Sequence, residues 1–396
     1  MVKELSQIAK GVHASTTMAI DSLFKQMKSE GQDVIGFAAG EPDFPTPDHI
    51  KEAAVQAIRD NFTRYTPASG TLELKQAICD RTKTDFGVSY TPDQVVVSSG
   101  AKHVVYLALR ALVNPGDEII LPTPAWVSYY ELIRIVGGIP VVIPASEAEQ
   151  FKLSPEKLER AITPRTKAIL LNNPCNPTGM LYDAEQLRSL AEVCIKHDLY
   201  IVADEIYSSL VYDGKFFTSV AALGDEIRRH VILINGVSKS YAMTGWRIGY
   251  GLAEPEIIKI MSNYVSHSTG SPCAVSQKAS LTALTASQGQ IHSMRDAFQA
   301  RRDYMVARMN AIPGVSCIRP EGAFYVMMNL EKLLGRTIGG TKIENAEDFA
   351  TALLKQGLVA VVPGDGFGAP GFVRWSYAAS MENIKEGLDR LERFLA

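Results

Sequence analysis

Short apolar runs alternate with helix-like segments along most of this 396-residue chain, and that alternation limits the possible folds more than any other feature. Runs typical of buried strands occupy residues 95–99, 118–122, 140–144, 168–171, 200–204 and 231–235. Helical patterns lie between them, as at 47–60, whose apolar residues share a face, and at 184–197, which begins with a capping box. Short apolar strands separated by helices predict an α/β fold with a parallel sheet that helices cover on both faces.

The pattern changes after about residue 290, which indicates a second, smaller unit. The elements expected there are a charged connecting helix at 291–310, strands at 323–329, 358–364 and 371–377, and a last helix at 381–395. The segment before Pro45 shows no strand–helix alternation of its own. Because the chain is also long for one domain, we expect a large domain at 46–291 and a smaller α/β domain formed by 1–45 with 292–396.

Composition narrows the classes of function. The net charge of −3 gives no electrostatic reason to expect binding to nucleic acid or to an anionic membrane. The 5 cysteines are scattered without a C-x-x-C pair, which favours free thiols in a reducing compartment and argues against zinc. No stretch reaches the roughly 18 apolar residues of a membrane span, and the first residues lack the apolar core of a signal peptide. We therefore expect a cytoplasmic protein without a metal.

Four segments place polar residues at or just beyond the ends of predicted strands. They are 98–109, 172–179, 201–212 and 236–250. The first offers free N–H groups at a helix start, where anions bind, and the second holds asparagine amides in a proline-rich turn. The third places Asp204 at a strand end with Tyr207 three residues later, and the fourth contains Lys239 and Arg247. Taken singly, each has an ordinary explanation as a turn, a helix cap or a solvated charge.

The combination of these groups is more informative than any one of them. The carboxyl ends of parallel strands meet at one edge of a sheet, so we expect these loops to face the same crevice. Together they supply an anion cradle, a carboxylate, an amide, a phenol, a lysine and an arginine. This set suits pyridoxal 5′-phosphate (PLP), whose phosphate, ring nitrogen and aldehyde need those partners.

Several motifs carry a resemblance to a known family. They are AAGEPDFPTP (38–47), RYTPASG (64–70), NNPCNPTG (172–179), DEIY (204–207), SKSYAMTGWRIGY (238–250) and the late FVRWSY with Arg374. From about residue 5 to its end, the chain resembles the fold-type I PLP enzymes, specifically the aspartate aminotransferase family in its bacterial subgroup Ib. The resemblance implies a large domain with a mostly parallel seven-stranded sheet and a smaller domain that closes over the substrate.

The resemblance also assigns roles to residues around the cofactor. Lys239 would hold PLP as a Schiff base and later move the proton of the substrate Cα. Asp204 would pair with the ring nitrogen, Tyr207 and Asn176 would bind the ring's O3′ oxygen, and Trp126 would stack on the ring. The residues expected around the phosphate are Gly100, Ala101, Lys102, Ser238 and Arg247, together with Tyr65 from the partner subunit of a homodimer with shared active sites.

Substrate recognition is assigned in the same way. Arg374 would fork onto the α-carboxylate, in a pocket that Gly40, Trp126 and Asn176 also line. Thr17 and Lys102 would bind the distal carboxylate of a dicarboxylic substrate. The segment around Thr17 departs from the family pattern, because His13 and Ala14 stand where relatives often have Lys-Pro. Ala101 likewise replaces a frequent glycine, and His103 is expected to be structural.

The function that this resemblance implies is transfer of an amino group from aspartate to 2-oxoglutarate in a ping-pong reaction through pyridoxamine phosphate. Its partners would be amino acids and 2-oxo acids. An aminotransferase for aromatic, prephenate-like or neutral amino acids remains open, as does a PLP-dependent β-lyase or decarboxylase on the same fold. A PLP-binding regulatory domain is the non-enzymatic alternative.

Overall fold

A computed structural model describes residues 4–6, 10–12 and 17–396, and the side chains of residues 17–21 lie outside this description. The helices are α1 (Thr17–Ser29), α2 (Asp48–Arg59), α3 (Leu72–Phe86), α4 (Ala101–Leu112), α5 (Ser128–Ile135), α6 (Pro155–Ala161), α7 (Ala184–Lys196), α8 (Asp225–His230), α9 (Pro255–Ser268), α10 (Ala274–Thr285), α11 (Gly289–Ala311), α12 (Ala346–Gly357) and α13 (Met381–Leu395). Short 3₁₀ turns lie at Pro92–Gln94, Glu147–Glu149, Val220–Ala222, Thr244–Trp246 and Asp365–Phe367.

The strands are β1 (Ile35–Gly36), β2 (Val95–Ser98), β3 (Glu118–Thr123), β4 (Ile139–Pro144), β5 (Thr166–Asn172), β6 (Tyr200–Asp204), β7 (Val231–Gly236), β8 (Gly249–Leu252), β9 (Tyr325–Asn329), β10 (Thr337–Ile338), β11 (Thr341–Lys342), β12 (Val359–Ala360), β13 (Val362–Pro363) and β14 (Phe372–Ser376). A 7-stranded sheet has the order β2-β8-β7-β6-β5-β3-β4. Strand β8 runs antiparallel to β2 and β7, and the other pairs are parallel. The predicted mostly parallel seven-stranded sheet is therefore confirmed.

Strand β8 has no counterpart among the strands predicted from apolar runs. Its sequence GYGL holds two glycines, which lack a side chain to pack and weaken a strand signal. The strand forms because both of its neighbours in the sheet supply hydrogen-bonding partners: Gly249 pairs with Ser98 on one side and Gly236 on the other.

Local signals place several helix starts correctly. Asp183 accepts a hydrogen bond from the N–H of Gln186 at 2.9 Å, and the Gln186 side chain in turn accepts one from the Asp183 N–H, as the capping box predicts. Ser154 caps α6, in which Pro155 is the first residue. The last helix, α13, begins and ends close to the predicted bounds, with Ser380 as its cap.

Both faces of the large sheet are buried, which explains its continuous apolar runs. Along β5, Ile169 and Leu171 belong to one core cluster, whereas Ala168 and Leu170 belong to the cluster on the opposite face. A third cluster joins α1 and β1 to α11, α12, α13 and the C-terminal strands. Among the helices described here, none is long and apolar enough to cross a bilayer.

The C-terminal strands, together with β1 from the N-terminal part, form three small sheets. Strands β13, β14 and β9 make an antiparallel sheet, β10 and β11 pair antiparallel, and β1 pairs parallel to β12. The prediction of one strand over 358–364 is wrong. Val359 pairs with Ile35, but Val362 pairs with Arg374 in a different sheet, so the run is divided at Val361 between two sets of partners.

Candidate active site

The neighbouring parallel strands β5, β6 and β7 end at a cavity of about 640 Å³. Most residues predicted for the site line it: Gly40, Ala101, Lys102, Trp126, Asn176, Asp204, Tyr207, Ser238, Lys239, Arg247 and Arg374. Gly100 lies directly behind the wall, against Arg247. Tyr65 lies outside the cavity with 97% of its surface exposed. Thr17 begins α1, but its side chain lies outside the described residues, as do His13 and Ala14.

Lys239 lies in the loop after β7 and reaches the segment that follows β1. Its Nζ donates a hydrogen bond to the Gly40 carbonyl at 2.5 Å. Burial lowers the pKa of this amine to about 8, and the Glu41 carboxylate partly opposes that shift. A lysine with this pKa is partly neutral near pH 7–8, which a nucleophile and a proton carrier both require.

Asp204 is buried at the end of β6. Its Oδ2 accepts a hydrogen bond from the Tyr129 hydroxyl at 2.7 Å, and its Oδ1 accepts one from the Ile206 N–H at 3.2 Å. Burial raises the pKa of Asp204, while these hydrogen bonds and the charge of Lys239 favour its ionised form. The carboxylate is therefore held in one orientation by neutral donors and is open to a cationic partner in the cavity.

Arg374 is buried on β14 in the opposite wall. It donates hydrogen bonds to Asn176 Oδ1 and to the Ala38 carbonyl, each at 2.9 Å. Its Cζ lies 4.4 Å from the centre of the Tyr325 ring. Within the described part of the chain, its Nε has no hydrogen-bond partner. A buried guanidinium with an unused donor is suited to a carboxylate ligand.

The start of α4 and the Arg247 side chain lie together at one end of the cavity. Gly100 has φ +91, and a Cβ there would collide with the Arg247 guanidinium. Arg247 donates to the Thr244 carbonyl at 2.8 Å and to the Ser99 carbonyl at 3.4 Å. The first N–H groups of a helix lack partners within the helix, so the backbone at Ala101 and Lys102 can donate to an anion beside this cation.

Trp126 and Lys102 lie together at the cavity wall. The Lys102 ammonium is 4.7 Å from the centre of the Trp126 ring. Burial and the charge of Arg247 lower the pKa of Lys102. His103, the next residue, instead contacts Ser98 Oγ through Nδ1 at 2.6 Å and lies outside the cavity lining.

Sequence reasoning missed several residues of the cavity wall. They are Lys25, Glu41, Tyr129, Thr244, Tyr325 and Phe367. Thr244 donates to Glu41 at 2.7 Å, and Tyr325 contacts the Tyr207 hydroxyl at 3.0 Å. Tyr129 could have been suspected from its place three residues after Trp126, on the same side of the α5 start. Glu41 and Thr244 lie within the motifs at 38–47 and 238–250. Lys25, Tyr325 and Phe367 carry no local signal, because distant segments bring them to the site.

The chain is similar to known proteins over almost its whole length. Residues 32–391 match the family described as aminotransferase class I and II. The chain belongs to this aminotransferase family. Its relatives include the aspartate aminotransferase of Bacillus subtilis (strain 168), which is 45% identical over 98% of this chain and 99% of the relative. An aspartate/prephenate aminotransferase of Cereibacter sphaeroides is also 45% identical, over 99% of this chain and 98% of its own.

Solved aminotransferase structures share the whole fold. The aspartate aminotransferase of Rhizobium meliloti superposes with a TM-score of 0.96 at 41% identity, covering 100% of this chain and 99% of that one. The Thermus thermophilus enzyme with maleate gives 0.93 at 40% identity, with 100% of both chains covered. The predicted fold, the enzyme class and the resemblance to aspartate aminotransferases are thus confirmed.

Proposed function

We propose that this aminotransferase uses PLP, bonded through Lys239, to move an amino group from aspartate to 2-oxoglutarate. The observation that carries the proposal is that one cavity contains the Lys239 amine, the buried Asp204 carboxylate and the buried Arg374 guanidinium. These are the groups needed for the cofactor's aldehyde, its ring nitrogen and the substrate's carboxylate.

The residues present fit PLP. Ala101, Lys102 and Arg247 surround the end suited to its phosphate, and the absence of a Cβ at Gly100 makes room for the Arg247 guanidinium. Trp126 offers an aromatic face, while Asn176 and Tyr207 offer an amide and a phenol to the ring oxygen. The amide nitrogen of Asn176 is suited to this, because its oxygen is already used by Arg374.

When bound, PLP supplies an aldehyde that takes up the amino group and an electron-withdrawing ring that makes the substrate's Cα–H acidic. The chain's own residues do the rest. Asp204, oriented by Tyr129, stabilises a proton on the ring nitrogen. Lys239, whose pKa burial lowers to about 8, would take the Cα proton and return it at C4′, the cofactor carbon that carries the aldehyde.

Arg374 orients the substrate by its α-carboxylate. Both of its terminal nitrogens are held by Asn176 and Ala38, so the guanidinium is fixed before the substrate arrives. Because the guanidinium is already ordered, less conformational entropy is lost when the substrate binds. We propose that the distal carboxylate contacts Lys102 and, from the N-terminal segment, Thr17.

Prephenate is the second candidate substrate, because several relatives are named aspartate/prephenate aminotransferase or probable aspartate/prephenate aminotransferase. Aspartate is favoured because all of these names include it and because further relatives are named aspartate aminotransferase alone. The Thermus thermophilus aspartate aminotransferase, whose structure was solved with maleate, a small dicarboxylate, also supports it. We also propose a large domain at 46–291 and a closing domain formed by 1–45 and 292–396, a homodimer with shared sites, and a cytoplasmic location. The 5 cysteines, all free where the structure describes them, fit a reducing compartment.

The first test is Lys239→Ala. We expect loss of the visible absorbance of the lysine-bound cofactor, loss of borohydride labelling at that peptide, and loss of nearly all amino transfer. The exposed Lys355→Ala serves as the control, since it removes a lysine from the surface of α12. Labelling at another lysine, or turnover of Lys239→Ala at the rate of the unaltered protein, would overturn the proposal.

The substrate is tested by a panel of donors with 2-oxoglutarate. Keto-acid formation should be most efficient, as kcat/KM, with aspartate. A higher efficiency with phenylalanine or another neutral donor would reject aspartate as the substrate. A higher rate of amination with prephenate as acceptor would favour the second candidate.

A further inference from the structure

The hydroxyls of Tyr207 and Tyr325 form a buried pair at the cavity wall. Their oxygens are 3.0 Å apart, and the two side chains are 3% and 0% exposed. Either oxygen can be the donor. The rings meet edge to face, with centroids 5.9 Å apart and planes at 82°. This contact joins β9 to the turn after β6 and therefore connects the two sides of the cavity.

Each tyrosine hydroxyl has only one proton, and this limit decides which of the two donates once a ligand is bound. A phenol has a single proton and can donate only one strong hydrogen bond. If Tyr207 donates to the cofactor's ring oxygen, as the proposed function requires, it has no proton left for Tyr325. We propose that Tyr325 is a positioning residue that donates to Tyr207 and so directs the single proton of Tyr207 toward the cofactor. The inference rests on the proposed function and deepens it.

The surroundings of Tyr325 favour this direction. The Arg374 guanidinium lies over its ring at 4.4 Å, and a cation makes a nearby phenol a better donor. Burial raises the pKa of both phenols, and the charge of Arg374 opposes that rise at each of them. The other charged groups acting on the pair are Glu41, Asp204 and Lys239, the last at 6.0 Å from the Tyr207 ring.

The backbone holds Tyr325 firmly enough for such a role. It is the first residue of β9 and pairs with Ser376 of β14. Its ring packs against Phe324 with centroids 4.6 Å apart and against the Tyr207 ring with centroids 5.9 Å apart. A side chain packed on these sides keeps its hydroxyl directed at Tyr207 with little loss of freedom on ligand binding.

The test is the pH at which the bound cofactor changes colour. A hydrogen bond to the ring oxygen stabilises the anionic oxygen and lowers the pKa of the lysine-bound chromophore. In Tyr325→Phe, Tyr207 loses the donor that polarises it, so this pKa should rise by about half a unit to one unit. Tyr207→Phe should raise it further, and adding Tyr325→Phe to Tyr207→Phe should change it little more.

Tyr377→Phe is the matched control. Tyr377 is equally buried, and its hydroxyl contacts the carbonyls of Gly322 and Ala323 at 3.4 Å, outside the cavity lining. It should leave the pKa of the chromophore unchanged. Equal shifts in Tyr377→Phe and Tyr325→Phe, or additive shifts in the double variant, would show that Tyr325 does not act through Tyr207 and would overturn the inference.

A second variant tests the inference if Tyr325→Phe does not fold or does not bind the cofactor. Fluorotyrosine at position 325 keeps the shape and is a more acidic donor, so the pKa of the chromophore should fall instead of rise. An unchanged or higher pKa would overturn the inference. The proposed function fails separately: if Tyr207→Phe has no effect on the chromophore, Tyr207 does not bind the ring oxygen at all.

Discussion

Asp204 and Glu205 are neighbours in the chain, but their carboxylates have different environments. Asp204 faces the cavity, where Tyr129 and Ile206 donate to it. Glu205 is fully buried, accepts from the Val220 N–H at 2.9 Å, and has an Oε2 without a partner among the described residues. Burial raises the pKa of Glu205 to about 8. At the residue scale, the side of the strand end on which a carboxylate lies thus decides its chemistry.

Glu205→Gln tests this raised pKa in the cofactor-free protein. Below pH 4.5 the folded and unfolded states both hold the proton. Between that pH and about 8 only the folded state keeps it, so the free energy of unfolding falls as pH rises, by at most about 5 kcal/mol in all. Glutamine keeps the acceptor for Val220 and does not titrate. The variant should therefore gain stability relative to the parent between pH 5 and pH 8.

Urea unfolding at both pH values measures the difference. Glu52→Gln, an exposed position on α2, is the control and should change with pH as the parent does. If Glu205→Gln also followed the parent at both pH values, Glu205 would have to be ionised in the folded protein.

Substitution of Lys102 tests whether the substrate is a dicarboxylic amino acid. A hydrogen bond to a charged group contributes about 1.5–3 kcal/mol, so Lys102→Met should lower kcat/KM for aspartate by about ten- to a hundredfold. Phenylalanine has no distal carboxylate and should be affected much less. The control is Lys167→Met, which removes another lysine placed near an aromatic ring, that of Tyr200. Equal losses for both donors would exclude contact between Lys102 and the distal carboxylate.

At the scale of elements, the approach of α4 to β8 shapes the end of the cavity that we propose binds the phosphate. A Cβ atom added at each of the two glycines of β8 would meet different neighbouring atoms. A Cβ at Gly249 would collide with the backbone of Gly100 and Ala101, which cannot move without shifting the helix start. A Cβ at Gly251 would meet the ends of Val104 and Met261 side chains at 2.9 and 3.3 Å, which can move more easily.

Gly249→Ala should therefore disturb the helix start more than Gly251→Ala. Overpacking costs about 1–3 kcal/mol, and we expect the Kd for PLP, measured by fluorescence quenching, to increase by about tenfold or more. Gly251→Ala should lower the thermal midpoint slightly and leave this Kd close to the parent value. Unchanged binding in Gly249→Ala would mean that the start of α4 does not contact the phosphate.

At the scale of the whole molecule, the exposed position of Tyr65 is not explained by contacts within a single chain. It is an aromatic side chain with 97% of its surface exposed, outside the cavity of its own chain. A two-fold dimer places the same surface of each chain on the other, so an exposed residue of one subunit can complete the site of the second.

Hybrid dimers test this sharing. Mixing Tyr65→Ala with Lys239→Ala should produce heterodimers in which one site carries both changes and the other carries neither. After random exchange, half of the dimers would have one intact site, so activity should approach roughly a quarter of the parent value. Recovery that does not exceed the sum of the two separate variants, or an active monomer in sedimentation, would contradict shared sites.

The sequence by itself determined the structural features that depend on residues close to one another in the chain. Apolar runs predicted the strands that are buried on both faces, and Asp183 with Gln186 marked a helix start, because these signals act within a few residues. It also placed Asp204 and Lys239 at strand ends, where a shared crevice could be expected before the fold was known.

Only the tertiary structure decided the contacts between distant segments. Arg374 bonds to Ala38, Tyr325 meets Tyr207, and the run 358–364 divides between two sheets. Strand β8 likewise owes its existence to the strands on either side. These outcomes depend on packing summed over the whole chain, and local propensity carries no information about which distant surface a residue will meet.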